Sequence, residues 1–164
     1  KKNIKEDKFL SNTSVENILE EIISNFRETT SKKINLLTGE DKNKFLLYRT
    51  PELVYGLRNF IGNAIKFSKK KVDIIIESNK EILEIFINDD GPGFPEDIIE
   101  LIGEPYIKSK SSQVLSNAGT GLGTFLGKTL LERKLAHLTF SKDKKLGGAS
   151  VIISWKIVDL TSIS

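Results

Sequence analysis

The chain of 164 residues contains no cysteine and no methionine. The first absence excludes a disulfide framework, a thiolate metal site and a cysteine nucleophile. The second holds even at position 1, so the chain reads as a piece of a larger protein, with any membrane segment or sensor lying outside it. No apolar run approaches the roughly 20 residues of a membrane span, and no signal-peptide pattern opens the chain. Histidine occurs once, as His137 beside Ala136 and Leu138, where a partly buried structural role is the simpler reading. The longest like-charge run is Lys69-Lys70-Lys71, short enough to be a solvated turn. The net charge of +3 and pI near 9 come from scattered lysines. No basic stripe interleaved with aromatics is present, which argues against a nucleic-acid partner.

Hydrophobic content of 38% and charged content of 29% are globular values, and the length fits one domain. Residues 1–10 read as a linker or frayed end, 11–158 as the domain and 159–164 as a tail. Ser14 caps a helix whose buried stripe is Val15, Ile18, Leu19, Ile22 and Phe26. Residues 33–38 read as a strand and 44–49 as a short extended piece. Thr50-Pro51 opens a second helix, with threonine as cap and proline at the first helical position. Residues 71–78 and 82–88 alternate as a hairpin. A turn-rich loop at 89–95 and a short helix at 96–101 follow. Residues 103–119 are long, polar and aperiodic, which in a compact domain marks a functional or mobile loop. Helical spacing resumes over 121–135, and 137–141 and 149–157 read as the last strands. The irregular alternation predicts an α+β fold, a mixed and mostly antiparallel sheet with helices on one face.

The second helix is unusual. Asn59, Asn63 and Lys66 stand at i, i+4 and i+7, on one stripe opposite Val54, Leu57, Ile61, Ala64 and Ile65. Asparagine is a poor helix former, because its amide competes for backbone hydrogen bonds. Two of them one turn apart, then a lysine, suggest amides and a cation aimed at a ligand. An amide oxygen suits a hard cation and a lysine suits phosphate. Two glycine clusters join this stripe. Asp89-x-Gly91-x-Gly93 follows a strand, and Gly119-x-Gly121-x-Gly123 precedes a helix. Glycine lets backbone approach a ligand, and a glycine turn opening a helix offers free amides to an anion. Asp89 at a strand end can accept a hydrogen bond from an exocyclic amine such as that of adenine.

Singly, each feature has a plainer reading: an indifferent surface pair, a turn, a hairpin at Gly147-Gly148. Gly121-x-Gly123-x-x-x-Gly127 and Gly123-Thr-Phe-Leu-Gly-Lys-Thr129 imitate a dinucleotide fingerprint and a P-loop. The segment before them, 110–117, does not read as a strand, and Lys128 and Thr129 fall inside a helix. Asn63, Lys66, Asp89 and the two glycine clusters in this order are not matched by any plain reading.

The set resembles the ATP-binding catalytic domain of sensor histidine kinases, the GHKL or Bergerat fold, over about residues 14–158. Asn59-Phe-Ile-Gly-Asn63-Ala-Ile-Lys66-Phe-Ser is similar to its N box. Asp89-Asp-Gly91-Pro-Gly93-Phe is similar to the first glycine box, Gly119-Thr-Gly121-Leu-Gly123 to the second, and Gly147-Gly148-Ala to a weaker third. Residues 49–59, 103–110 and 125–133 resemble the RegB/PrrB/ActS redox-responsive subfamily. The likeness implies a two-layer α/β sandwich with an ATP lid at about 104–120. It implies ATP and Mg²⁺ as cofactors. Asp89 would accept the adenine amine, Gly91 and Gly93 would let the chain pass the base, and Asn63 would ligate Mg²⁺ with Asn59 beside it. Lys66, and Lys108 or Lys110 or both, would lie near phosphate. Gly119, Thr120, Gly121, Leu122 and Gly123 would hinge the lid and contact the phosphates. Lys110 stands where the family has arginine, so its contact would be a point charge rather than a fork.

The resemblance also implies what is missing. The phosphoacceptor histidine belongs on a separate dimerisation domain, through which a response regulator is reached. His137 is not placed as an acceptor, so beyond positioning ATP and Mg²⁺ no catalytic residue is expected in this chain. The fragment would be monomeric and cytoplasmic, the parent dimeric and in the bacterial inner membrane. Related ATPases carry a glutamate where Asn59 stands, so little intrinsic hydrolysis is expected. The alternatives are a GHKL serine kinase of the anti-sigma type and a non-catalytic nucleotide-sensing module.

Overall fold

The computed structural model describes residues 12–39, 46–94 and 121–161. The elements in order are β1 (Asn12–Thr13), α1 (Val15–Arg27), β2 (Lys33–Thr38), β3 (Leu47–Tyr48), α2 (Pro51–Phe67), β4 (Lys71–Ser78), β5 (Ile82–Asp89), α3 (Gly121–Arg133), β6 (His137–Lys142), β7 (Ala149–Lys156) and α4 (Ile157–Thr161). β1 and β3 form a two-stranded antiparallel ribbon. The main sheet has the order β2-β4-β5-β7-β6, with β2 parallel to β4 and every other pair antiparallel.

The pleat assigns the faces. Ile74 pairs with Ile87, Ile76 with Ile85, and Ile85 with Ile153, so these side chains share one side of the sheet. All are buried, and α1, α2 and α3 cover them. On the other side, the register lines up Leu37, Ile75, Phe86 and Ile152, which are half-buried or exposed. Beside that row, Asn35 Nδ2 donates to Asp73 Oδ1 at 2.8 Å and Ser150 Oγ to Asn88 Oδ1 at 2.6 Å. These pairs satisfy the polar side chains on the outer face of the central strands. The two-layer arrangement expected from the sequence is the one present.

Both predicted caps form. Asn17 N–H donates to Ser14 Oγ at 3.2 Å, and Leu53 N–H to Thr50 Oγ1 at 3.3 Å. Each cap satisfies one of the four donors a helix leaves orphaned at its start. The α1 stripe includes Ile23 as well, while Phe26 is half-buried. Its ring lies under α2, where a Cβ on Gly62 would sit 3.1 Å from Phe26 Cζ. On α2 the buried positions are Leu53, Gly56, Leu57, Phe60, Ile61, Ala64 and Ile65, with Val54 at the margin.

α2 and α3 cross at glycines. A Cβ on Gly56 would come within 2.5 Å of Leu131 Cγ, and one on Gly127 within 3.1 Å of Asn59 Cβ. Removing both side chains lets the helices approach closely. Lys128 and Thr129 do lie inside α3, and Lys128 Nζ pairs with Glu132 Oε1 at 2.7 Å, which answers the P-loop likeness with an ordinary surface ion pair.

Several boundaries differ from expectation by a residue or two: β5 and β6 each run one residue further, and α3 ends at Arg133. The first extended piece narrows to Leu47–Tyr48 within the described residues. The last strand ends at Lys156, not Ile157, and the chain turns into α4. Residues 159–161, read from sequence as the start of a tail, form that helical turn and bury Leu160. The short helix at 96–101 and the lid at 104–120 lie outside the described residues.

Candidate functional site

Asp89 closes β5, the middle strand of the sheet. The pleat turns its side chain toward the helix side, where it is only 4% exposed. Its Oδ1 accepts two backbone hydrogen bonds, from Gly91 N–H at 2.8 Å and Ala149 N–H at 3.2 Å. Among the described residues Oδ2 accepts none. One oxygen is thus fixed by the fold, and the other carries no bond from the described residues. Burial pushes the Asp89 carboxyl above its ordinary pKa. The hydrogen bonds from Gly91 and Ala149 pull it back in part, and the charges of Asp90 and Asp143 add to the rise.

Glycines wall this carboxylate because nothing larger fits. A Cβ on Gly148 would strike the Asp89 carbonyl and Oδ1, and would lie 2.7 Å from Gly91 N. A Cβ on Gly91 would strike the Phe67 carbonyl oxygen at the end of α2. Gly93 has φ +78°, the left-handed region that side chains rarely adopt. Phe94 then anchors the loop, its ring edge-on to Phe140 with centroids 6.0 Å apart, while Phe140 lies 6.0 Å from Phe60 of α2.

The asparagine stripe stands above this floor. Asn63 Nδ2 donates to Thr124 Oγ1 of α3 at 3.2 Å. That bond uses the donor end of the amide and leaves Oδ1, the end suited to a hard cation, without a partner among the described residues. Asn59 is half-buried beside Gly127, and Lys66 is exposed, its Nζ 5.6 Å from the Phe67 ring centroid. Gly121, Leu122 and Gly123 form the first turn of α3. Lys108, Lys110, Gly119 and Thr120 lie outside the described residues.

The structure therefore brings Asn59 and Asn63 of α2 and the loop carrying Asp89, Gly91 and Gly93 to one side of the sheet, the loop packing against the C-terminal end of α2. Sequence reasoning gave no individual role to four contributors. Gly148 and Ala149 seat the Asp89 carboxylate from a hairpin 60 residues away. Thr124 orients the Asn63 amide. Asp90, readable only as a turn residue, takes backbone donors from Lys69, Lys70 and Lys71. The Gly-Gly-Ala triplet was the available signal for the first two; no local pattern marks Thr124. His137 is exposed at the start of β6.

A family model described as histidine kinase-, DNA gyrase B- and HSP90-like ATPase matches residues 49–159. The sensor histidine kinase RegB of Cereibacter sphaeroides is 39% identical over 108 residues, which is 63% of this chain and 23% of that protein. The histidine protein kinase SaeS of Staphylococcus aureus is 33% identical over 139 residues, 82% of this chain and 38% of that protein. The chain thus spans well under half the length of these relatives. The mycobacterial sensor histidine kinase MprB superposes with a TM-score of 0.72 at 18% identity, covering 90% of this chain and 97% of that one. The ATP-binding domain of PrrB from Mycobacterium tuberculosis gives a TM-score of 0.65 at 19% identity, covering 95% and 99%. These two likenesses speak to the fold. The chain belongs to the histidine kinase-, DNA gyrase B- and HSP90-like ATPase family, and over the matched span it is similar to the corresponding parts of sensor histidine kinases.

Proposed function

We propose that this domain binds ATP with Mg²⁺ and presents its γ-phosphoryl group to a histidine on a separate dimerisation domain of the same parent protein. The phosphoryl group would pass from there to a response regulator. One observation carries the reading. Asp89 is buried with Oδ1 held by two backbone donors and Oδ2 left over, beside the helix that bears Asn63. A buried acceptor of this kind favours the exocyclic amine of adenine and disfavours a purine bearing oxygen there.

The residues present fit a divalent cation. Asn63 Oδ1 is a neutral oxygen ligand, and no cluster of three or more acidic, histidine or cysteine side chains exists among the described residues. Such a cation would rest on Asn63 and on the phosphates themselves, as Mg²⁺ commonly does. When bound, it would neutralise charge on the transferring group. The chain's own part is positioning: Asp89 holds the base, Thr124 aims Asn63, and Lys66 with Lys108 or Lys110 offers positive charge near the phosphates. Gly119, Thr120, Gly121, Leu122 and Gly123 would hinge the segment 104–120 over them.

Asn59 is an amide at the place where a hydrolase needs a base, and an amide takes no proton near neutral pH. Hydrolysis by the isolated domain is therefore expected to be slow. The parent would be a dimer anchored in the inner membrane with this domain in the cytoplasm; no helix among the described residues is long and apolar enough to cross a membrane. Two measurements test the proposal. Calorimetry should show Mg²⁺-dependent ADP binding that Asn63→Asp disturbs while melting at an unchanged temperature. Joined to its dimerisation domain, the chain should label that domain's histidine from γ-labelled ATP and leave His137 unlabelled. Label on His137, or fast hydrolysis without a partner, contradicts the reading.

A further inference from the structure

The C-terminal end of α2 is gripped from two sides by opposite charges. From the turn before β2, Lys32 Nζ donates to the carbonyls of Ile65 at 2.6 Å, Ser68 at 2.7 Å and, more loosely, Lys66 at 3.4 Å. A helix end exposes carbonyls that its own backbone cannot satisfy, and a cation there also meets the negative end of the helix dipole. From the glycine loop, Asp90 accepts the backbone donors of the next residues. Its Oδ1 takes Lys69 N–H at 2.7 Å, Lys70 N–H at 3.1 Å and Lys71 N–H at 3.3 Å, and Oδ2 takes Lys70 N–H at 3.1 Å. Lys33 N–H donates to Lys70 O at 2.9 Å, tying the two turns together.

These bonds join the two halves of the candidate site through one short segment, residues 65–71. Asn63 and Lys66 lie in or beside its helical end, and Asp90 is the neighbour of Asp89. We infer that Lys32 and Asp90 are positioning residues that set the separation between the phosphate-side groups of α2 and the base-side carboxylate of Asp89. Neither is placed to touch the ligand; Asp90 ties the segment after α2 to the glycine loop, and Lys32 fixes the helix end against the turn before β2. Gly91, packed on the Phe67 carbonyl, leaves no slack at the same seam. A charge that only stabilised the fold could sit anywhere at the helix end, whereas Asp90 joins the segment after α2 to the loop carrying Asp89 and Lys32 anchors that same segment from its other side, on the turn before β2.

The inference rests on the proposed ATP site, and the test separates the two. Adenosine probes the base end alone, and ADP with Mg²⁺ probes both ends. Using the full 164-residue chain, Lys32→Met should weaken ADP·Mg binding by about tenfold, below the ~100-fold that a 1 Å misplacement can cost a reaction. Adenosine affinity, followed by NMR titration, should change less than threefold. Lys32→Arg, which can still donate to the same carbonyls, should recover most of the loss. Asp90→Asn, keeping one acceptor oxygen, should show the same split in milder form. The double variant should lose less than the product of the two single losses, because both act through one segment. Equal losses for adenosine and ADP·Mg, or none in folded variants, overturn the positioning role. Should Lys32→Met fail to fold, Asp90→Asn and Lys32→Arg carry the comparison. If the parent chain binds neither probe, it is the ATP reading that fails.

Discussion

Replacing Asp89 by asparagine changes one atom that the fold uses and one that it does not. The amide oxygen can take the place of Oδ1 and accept from Gly91 and Ala149 as before. The new NH₂ replaces Oδ2, the atom proposed to meet the base. Stability should therefore hold, or rise slightly, because an ionised carboxylate no longer has to be buried. Binding should not hold. A hydrogen bond to a charged group is worth about 1.5–3 kcal/mol, and a donor would now face the adenine amine. At 1.4 kcal/mol per tenfold, ADP affinity should fall by roughly 10- to 150-fold. Asp89→Ala is the contrast. It strands the two buried amides at about 1 kcal/mol or more each, which for a domain of this size lowers the melting temperature by roughly 4–8 °C. Calorimetry with ADP and a thermal melt on both variants give the four numbers. A purine nucleotide with oxygen in place of the amine should gain on ADP in Asp89→Asn, since the new donor suits it. An Asp89→Asn protein that binds ADP like the parent would falsify the assignment of Oδ2 to the base. One that melts early would refute the claim that Oδ1 alone serves the fold.

Acidification should weaken ADP binding as the pH falls through the Asp89 pKa, which burial raises, because the neutral carboxyl is a poorer acceptor; an affinity–pH series on the parent checks this. The sign for folding is opposite at its neighbour. Despite some burial, backbone donors from Lys70, Lys69 and Lys71 hold the Asp90 carboxyl below its ordinary pKa, so its stabilisation is present above the unfolded value and lost as pH falls through the folded one; acid melts should be flatter for Asp90→Asn. Gly148→Ala should cost about 1–3 kcal/mol and abolish nucleotide binding, since the new methyl meets backbone. Gly147→Ala, at φ +83° but in open space, should cost about 1 kcal/mol and spare binding. Trp155 Nε1 is buried without a partner among the described residues, so Trp155→Phe should cost within about 1 kcal/mol as relief of the orphan donor offsets the lost volume, against about 2–5 kcal/mol for Ile85→Ala; urea melts distinguish them.

Periodicity and caps made most of the fold legible. The stripe of Asn59, Asn63 and Lys66 is written at helical spacing, and Thr50-Pro51 announces where the helix starts. Alternation named β4 and β5 to within a residue. What stayed hidden joins distant parts of the chain. Ala149 reaches Asp89 across 60 positions, and Lys32 reaches the end of α2 across 33 to 36. Nothing local in a lysine after a helix says which carbonyls it will meet. The end of β7 was misread for a different reason. Ile157 and Val158 are β-branched and look like more strand, but Ile157 N–H donates to Glu81 O at 2.8 Å and the chain turns helical from there. The Gly147-Gly148 hairpin is both a turn and the floor of a site, a double use that one local pattern cannot express.

Asp89 ends a strand flanked by neighbours on both sides, β4 and β7. Strands so placed are the last to open when a protein breathes, and their amides exchange most slowly with solvent. If Asp89 reads the base as proposed, that end of the site is ready before any nucleotide arrives, and binding there should order almost nothing. Small molecules shaped like adenine should bind with little entropic penalty and an on-rate near the diffusional range for an open pocket. How long a full nucleotide stays would then be set at its other end, by the phosphates and whatever closes over them.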